Sequence, residues 1–261
     1  MIAARKVEFL VAGVQKGGTS ALFEYLRDMP GLQLPDVKEA HFFDDEQEVD
    51  WARPDYAPYH ALFADDGRRW GEATPIYLYW PNCLERIAAY NPAMKFVLLF
   101  RDPIDRAWSH WKMEYAKRKE SEPFQWCIRE GRSRLTPGDP DAPGHHRVFS
   151  YVERGFYGAQ VARLLSLFPA EQCLFLRSED LRDDPHAALR RISTFLDQSD
   201  PPVVRPRIVH SARRQNYPSK LQPDDIRLLA QLYAPDMIEF YDLTGIDPTG
   251  WTTGWDLGNS R

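Results

Sequence analysis

Cysteine is scarce in this sequence. Its three copies, Cys83, Cys127 and Cys173 in 261 residues, are odd in number and far apart. That excludes a disulfide framework, offers no metal-ligand spacing, and reads as three reduced thiols. Long apolar runs are missing too, since nothing approaches the roughly 18 residues of a membrane span. The early apolar stretch at 9–14 is flanked by Lys6 and Glu8 and lacks the length and small-residue cleavage site of a signal peptide. Positive charge is not in excess: 33 Lys and Arg stand against 38 Asp and Glu, a net charge of −5. A general nucleic-acid binder would be strongly basic. Internal repeats and low-complexity tracts are absent. What remains is ordinary globular composition, 43% hydrophobic and 27% charged. These features predict one soluble, cytoplasmic domain over 1–261, with no membrane and no nucleic-acid partner.

Val7-Glu8-Phe9-Leu10-Val11-Ala12-Gly13-Val14 is apolar, β-branched and short, which predicts a buried strand. A glycine-rich turn follows at Gln15-Lys16-Gly17-Gly18-Thr19-Ser20. Residues 21–27 then carry apolar side chains at helical spacing, ended by Pro30-Gly31. Strand, glycine turn and helix open a βαβ unit. A second strand is predicted at 95–100, ending on Arg101-Asp102-Pro103. Pro103 suits the first turn of a helix running through Trp108 and Trp111 towards Lys119. A third strand is predicted at 172–176, before Glu179-Asp180-Leu181 and a helix around 187–196. Helical patterns also cover 159–168 and 224–233. Strands alternating with helices predict an α/β fold with a central, mostly parallel sheet flanked by helices. The stretch 136–146, rich in Pro, Gly and Asp, reads as an exposed loop, and 44–50, with five acids in seven residues, as a solvated one.

Three stretches could hold anions. Gly13 and Gly18 have the spacing of a GxxxxGK[ST] phosphate loop, but the lysine, Lys16, sits inside the loop and Thr19-Ser20 follow Gly18 directly. Gly17 and Gly18 permit close backbone approach, and the next residues offer amides at a helix start. Thr19 and Ser20 add hydroxyls. The same pattern is also met by a plain glycine turn with a capping hydroxyl. The displaced lysine disfavours a standard ATPase or GTPase. Arg101 follows a buried strand, where open α/β sheets bind ligands, and Ser109 lies about two turns along the next helix. An arginine with a hydroxyl suits a terminal phosphate, although Arg101 could equally pair with Asp102 or Asp105. Residues 205–214 hold four arginines and no acid, either a solvated face or a loop closing on a phosphorylated ligand.

Taken together these residues resemble the sulfotransferases that use 3′-phosphoadenosine 5′-phosphosulfate (PAPS), and among them the heparan sulfate N- and 3-O-sulfotransferase domains and their bacterial relatives. The matching segments are Gly13-Val14-Gln15-Lys16-Gly17-Gly18-Thr19-Ser20-Ala21-Leu22, Lys38-Glu39-Ala40-His41-Phe42-Phe43, Glu72-Ala73-Thr74-Pro75-Ile76-Tyr77, Arg101-Asp102-Pro103 with Ser109, Arg154-Gly155-Phe156-Tyr157, and Glu179-Asp180-Leu181 before Phe195-Leu196. They occur in family order and span about 7–245. The resemblance implies a P-loop-like fold of the kind shared with nucleoside triphosphate hydrolases, with PAPS as cofactor. It implies that Lys16, Gly17, Gly18, Thr19 and Ser20 hold the 5′-phosphosulfate, that Lys16 stands near the leaving oxygen, and that Arg101 and Ser109 bind the 3′-phosphate. Glu39 would be the general base and His41 would lie beside the acceptor, while Arg213 and Arg214 would belong to a late loop closing over the cofactor. No metal is implied.

Two departures bear on the acceptor. Ala73 stands where the heparan-modifying enzymes carry lysine, and their late cysteine pair is missing. With a net negative charge and aromatics at Trp51, Tyr56, Tyr59, Tyr77, Tyr79 and Trp80, about half of them expected in the core, this favours a small-molecule or short-glycan acceptor over a polysulfated polymer. A nucleotide kinase using the same loop, and a nucleotide-binding protein without catalysis, are the alternatives.

Overall fold

The computed structural model describes residues 5–135, 145–202 and 216–251. Its strands are β1 (Phe9–Gly13), β2 (Leu32–Gln33), β3 (Arg69–Glu72), β4 (Lys95–Phe100) and β5 (Cys173–Arg177). Its helices are α1 (Thr19–Arg27), α2 (Ala57–His60), α3 (Cys83–Tyr90), α4 (Pro103–Ala116), α5 (Phe124–Cys127), α6 (His145–Phe149), α7 (Tyr157–Leu167), α8 (Ser178–Asp183), α9 (Pro185–Phe195) and α10 (Pro223–Thr244). The described residues form two compact units, one drawn from 5–100 and 164–202, the other from 101–135, 145–163 and 216–251.

The first unit carries a five-stranded sheet in the order β2-β3-β1-β4-β5, every pairing parallel. Five consecutive buried residues in β4 and five in β1 explain why both strands read as continuous apolar runs: each is covered on both faces. On one face Phe9, Val11, Val97, Leu99 and Leu176 pack under Leu22, Phe23 and Leu26 of α1 and Leu189 and Ile192 of α9. On the other, Phe96 meets Phe168 with ring centroids 4.6 Å apart. The chain leaves β1 towards β2 and leaves β4 towards β5, so the strand order reverses between them, the position at which open α/β sheets bind ligands beyond their carboxyl ends. β3 and β2 were not legible as strands. Arg69-Trp70-Gly71-Glu72 lacks an apolar run, and β2 has two residues, so only the sheet makes them strands.

The second unit is helical. Asp102 starts α4 by accepting the Ile104 amide at 2.8 Å, and Pro103 at the first turn needs no amide of its own. α10 is longer than its periodicity suggested, running past Pro235 to Gly245, whose φ of 68° ends it. Packing of Tyr233, Met237 and Phe240 carries the helix through the proline. Of the expected exposed loop at 136–146, residues 136–144 lie outside the described ones, and His145 and His146 belong to α6. Among the described residues no helix is long and apolar enough to cross a membrane. Among the described residues none of the three cysteines forms a disulfide, and two of them are buried.

Candidate active site

The glycine turn leaves the carboxyl end of β1. The Val14 amide donates to the Leu99 carbonyl at 2.9 Å and the Gly17 amide to the Val14 carbonyl at 2.8 Å. A Cβ on Gly17 would stand 2.5 Å from the Leu99 carbonyl oxygen, so no larger residue fits. Gly18 caps α1 in the left-handed region at φ 96°, and Lys16 adopts φ 73°. No side chain caps this helix start and its first turn holds no acid. The first intrahelical bond runs from the Leu22 amide to the Gly18 carbonyl, so the amides of residues 19–21 have no partner within the helix. That is the donor set an anion requires, reinforced by the positive end of the helix dipole. Thr19 is buried; Lys16 and Ser20 are half-buried. Ser178, not singled out by the sequence, braces the turn by donating Oγ to the Gly17 carbonyl at 2.5 Å. It directly precedes Glu179-Asp180-Leu181, whose Asp180 accepts the Arg177 amide at 3.1 Å and whose Leu181 enters the core.

Glu39 and His41 come together in a charged cluster on the connection from β2 to β3. His41 Nε2 lies 3.5 Å from Glu39 Oε2, and His41 Nδ1 lies 2.9 Å from Asp44 Oδ2. The Lys38 ammonium contacts the other Glu39 oxygen. Burial alone would raise the Glu39 carboxyl, but the His41 hydrogen bond and the Lys38 charge outweigh it and hold the group down to about 2. Hydrogen bonds to Asp44 and Glu39 push His41 up to about 9 against the opposing effect of burial. At neutral pH Glu39 is therefore ionised and His41 protonated. Both Glu39 (φ 65°) and His41 (φ 54°) sit in the left-handed region, a strain that side-chain-bearing residues keep where a site demands it. The solvated-loop reading of 44–50 is corrected here: Asp44 is fully buried against His41, and Glu46 binds Arg86 through both oxygens. Composition hid Asp44 because its neighbours Gln47, Glu48 and Asp50 really are exposed or nearly so.

The cluster sits at the same carboxyl end of the sheet as the glycine turn. The Glu39 amide donates to the Ala73 carbonyl at 3.1 Å, just past β3, and the Leu78 amide donates to the Ala12 carbonyl at 3.1 Å in β1. Since β1 and β3 run parallel, both loops leave carboxyl ends. Of the six aromatics expected near the acceptor, Tyr59, Tyr77 and Trp80 are buried core, while Trp51, Tyr56 and Tyr79 remain half-exposed. Phe42, next to His41, joins them, with centroids 5.7 Å from Trp51 and 5.6 Å from Tyr56.

Arg101 directly follows β4 in sequence and belongs to the second unit. Its Nη2 pairs with Asp105 Oδ2 at 3.2 Å, the bland pairing the sequence left open, and its carbonyl accepts the Tyr157 hydroxyl at 2.9 Å. That last bond gives Arg154-Gly155-Phe156-Tyr157 its part: it fixes the backbone at Arg101. Asp105 and Ser109, four residues apart, share one face of α4, and Arg101, just before its N-cap, reaches that face through Asp105. Lys112 was missed by the sequence reading. Burial lowers its pKa, and so does the nearby Arg101 charge, which places a second cation by that face. Arg213 and Arg214, with the basic stretch around them, lie outside the described residues.

A parallel α/β sheet whose first strand runs through a glycine turn into a helix defines the P-loop-like class of phosphate-binding proteins. The sequence profile of the sulfotransferase domain matches residues 6–221, and the chain belongs to that family. Human heparan sulfate glucosamine 3-O-sulfotransferase 3B1 is 28% identical over 270 residues, covering 95% of this chain and 64% of that protein. Human heparan sulfate glucosamine 3-O-sulfotransferase 6 is 29% identical over 270 residues, covering 93% and 72%. The crystal structure of a sulfotransferase from Alicyclobacillus acidocaldarius superposes with a TM-score of 0.77 at 27% identity, covering 95% of this chain and 99% of that one. The chain thus spans under two thirds of the first of these human relatives.

Proposed function

We propose that this protein transfers a sulfuryl group from PAPS to a hydroxyl or amine of a small-molecule or short-glycan acceptor. The observation that carries the reading is the Lys38–Glu39–His41–Asp44 cluster held at the same carboxyl end of the sheet as an uncapped, glycine-opened helix start. The donor set suits PAPS: amides of residues 19–21, the hydroxyls of Thr19 and Ser20 and the Lys16 ammonium for the 5′-phosphosulfate, Arg101 and Ser109 for the 3′-phosphate. When bound, PAPS supplies a sulfur whose new bond to the acceptor atom forms as its bond to the 5′-phosphate oxygen breaks, releasing adenosine 3′,5′-bisphosphate. Lys16 and the helix start steady the negative charge that grows on the departing phosphate. Glu39 receives the proton the acceptor loses. His41, fixed by Asp44, orients Glu39, and Lys38 and His41 together keep it ionised.

That electrostatic grip has a cost: a carboxylate held near 2 is a weak base at neutral pH. As His41 gives up its proton near pH 9, Glu39 loses one of its cations and becomes more basic. We expect kcat/KM to climb between pH 7 and the His41 midpoint near 9, and His41→Asn to remove that limb. Stability moves the other way. His41 binds its proton more tightly when folded, so its contribution is complete below the ordinary 6.5 and lost as pH rises through about 9. The Glu39 contribution is present above 4.5 and lost as pH falls towards 2. Melting temperature measured across pH checks the stability limb, and initial rates check the other.

The acceptor class rests on charge. Ala73 is buried and carries none, the chain is net −5, and the half-exposed rings beside His41 are apolar. A polysulfated polymer needs a cationic cleft, and its binding falls steeply with salt. Turnover on small alcohols, phenols and short uncharged glycans is expected to exceed turnover on heparan-type polymer and to change little across a salt series. Preference for the polymer, collapsing as salt rises, would reverse the assignment.

A further inference from the structure

The Glu72-Ala73-Thr74-Pro75-Ile76-Tyr77 segment has no part in the chemistry above, yet it contains a fully buried carboxylate. Glu72 closes β3 with no exposed surface. Its Oε1 accepts the Tyr59 hydroxyl at 3.0 Å and its Oε2 the Thr74 hydroxyl at 2.6 Å. Burial pushes its carboxyl above the ordinary carboxylate range, and the hydroxyls around it work against that. A carboxyl taken from water is tolerated only when its polar atoms have partners, and here each oxygen has one. The core would be served as well by an apolar residue, so the reason for a polar one lies in what its partners hold.

Those donors lead to the catalytic cluster. The Tyr59 ring that Glu72 holds stacks on Phe42, next to His41, with centroids 4.7 Å apart. The Phe42 amide, on the far side of His41, donates to the Tyr77 hydroxyl at 3.0 Å. The Glu39 amide ends on the carbonyl of Ala73. The amides of Glu39 and Phe42 thus both terminate on 73–77, and the stretch they bound holds two residues in the left-handed region, Glu39 and His41. Left to itself, that backbone would relax towards the ordinary regions and carry the two side chains apart.

We propose that Glu72 is a positioning residue for proton removal from the acceptor: by fixing the Tyr59 ring stacked on Phe42, and the Thr74 turn beside the groups that accept the Glu39 and Phe42 amides, it holds Glu39 and His41 in the strained conformation that brings their side chains together. This rests on the reading of Glu39 as the base.

The test is a double-variant cycle in which Glu72→Gln and Thr74→Val are each made in the native and in the Glu39→Gln background. Sulfuryl transfer is measured with the best acceptor of the small-molecule series, and adenosine 3′,5′-bisphosphate affinity by calorimetry. Glu72→Gln alone should lower kcat on the order of 10²-fold with bisphosphate affinity unchanged. In the Glu39→Gln background it should cost almost nothing more, because the group it positions is already gone. Thr74→Val, which keeps the side-chain shape and removes one donor, should show a smaller loss of the same kind and carries the test should Glu72→Gln fail to fold. Equal fractional losses in both backgrounds, a fall in bisphosphate affinity alongside turnover, or unchanged turnover would overturn the inference. If instead Glu39→Gln alone leaves turnover intact, the base assignment itself fails, an outcome readily told apart from the others.

Discussion

Glu39→Gln is expected to reduce turnover about 10²- to 10⁴-fold while leaving adenosine 3′,5′-bisphosphate affinity close to that of the native protein. The substitution keeps the shape of the side chain and removes its capacity to take a proton. It also removes the negative charge that Lys38 and His41 both face, so the His41 pKa should fall back towards its ordinary value. Histidine NMR titration of the variant reads that shift independently of rate. Lys16→Ala supplies the contrast, because a cation in the phosphate loop serves bound donor and developing charge alike, and both turnover and nucleotide affinity should drop. Near-normal turnover in Glu39→Gln would transfer the base role elsewhere, with His41 next in place.

Arg101→Ala should separate two nucleotides that differ by one phosphate. A charge-assisted hydrogen bond contributes about 1.5–3 kcal/mol, a factor of roughly 10 to 150 in affinity. The loss is expected for adenosine 3′,5′-bisphosphate and hardly at all for AMP, which lacks the 3′-phosphate. Arg101 pairs with Asp105, so binding a phosphate exchanges one anionic partner for another and the measured loss should fall in the lower part of that range. Ser109→Ala should show the same selectivity with a smaller amplitude. Equal losses for both nucleotides by calorimetry would leave Arg101 as an element-end ion pair and nothing more.

How much of this could be read from the chain alone depends on whether local pattern or long-range packing decides each feature. β1 and β4 were legible because strands buried on both faces must be apolar throughout, and α1 and α4 because a glycine turn and a proline mark their starts. β3 was not, since Arg69 and Glu72 look polar until one sees Glu72 buried and held by the Tyr59 and Thr74 hydroxyls. The phosphate loop was visible from its glycines. Glu39 and His41, by contrast, carry no local signal; only family resemblance pointed to them, and only the fold puts them 3.5 Å apart. Asp44 was misjudged for the same reason. Within a run of acids nothing in composition tells which one turns inward, and the answer came from the histidine three residues earlier. Lys112 escaped notice because its relation to Arg101 runs along a helix face and not along the sequence.

The most direct test of the central claim is a donor comparison. The protein is incubated with the small-acceptor series and either sulfur-labelled PAPS or γ-phosphate-labelled ATP, and label transfer is followed together with nucleotide product. The account predicts sulfur label on an acceptor, adenosine 3′,5′-bisphosphate released in equal amount, and no transfer from ATP. Phosphoryl transfer from ATP with none from PAPS would contradict it and make the glycine loop that of a kinase.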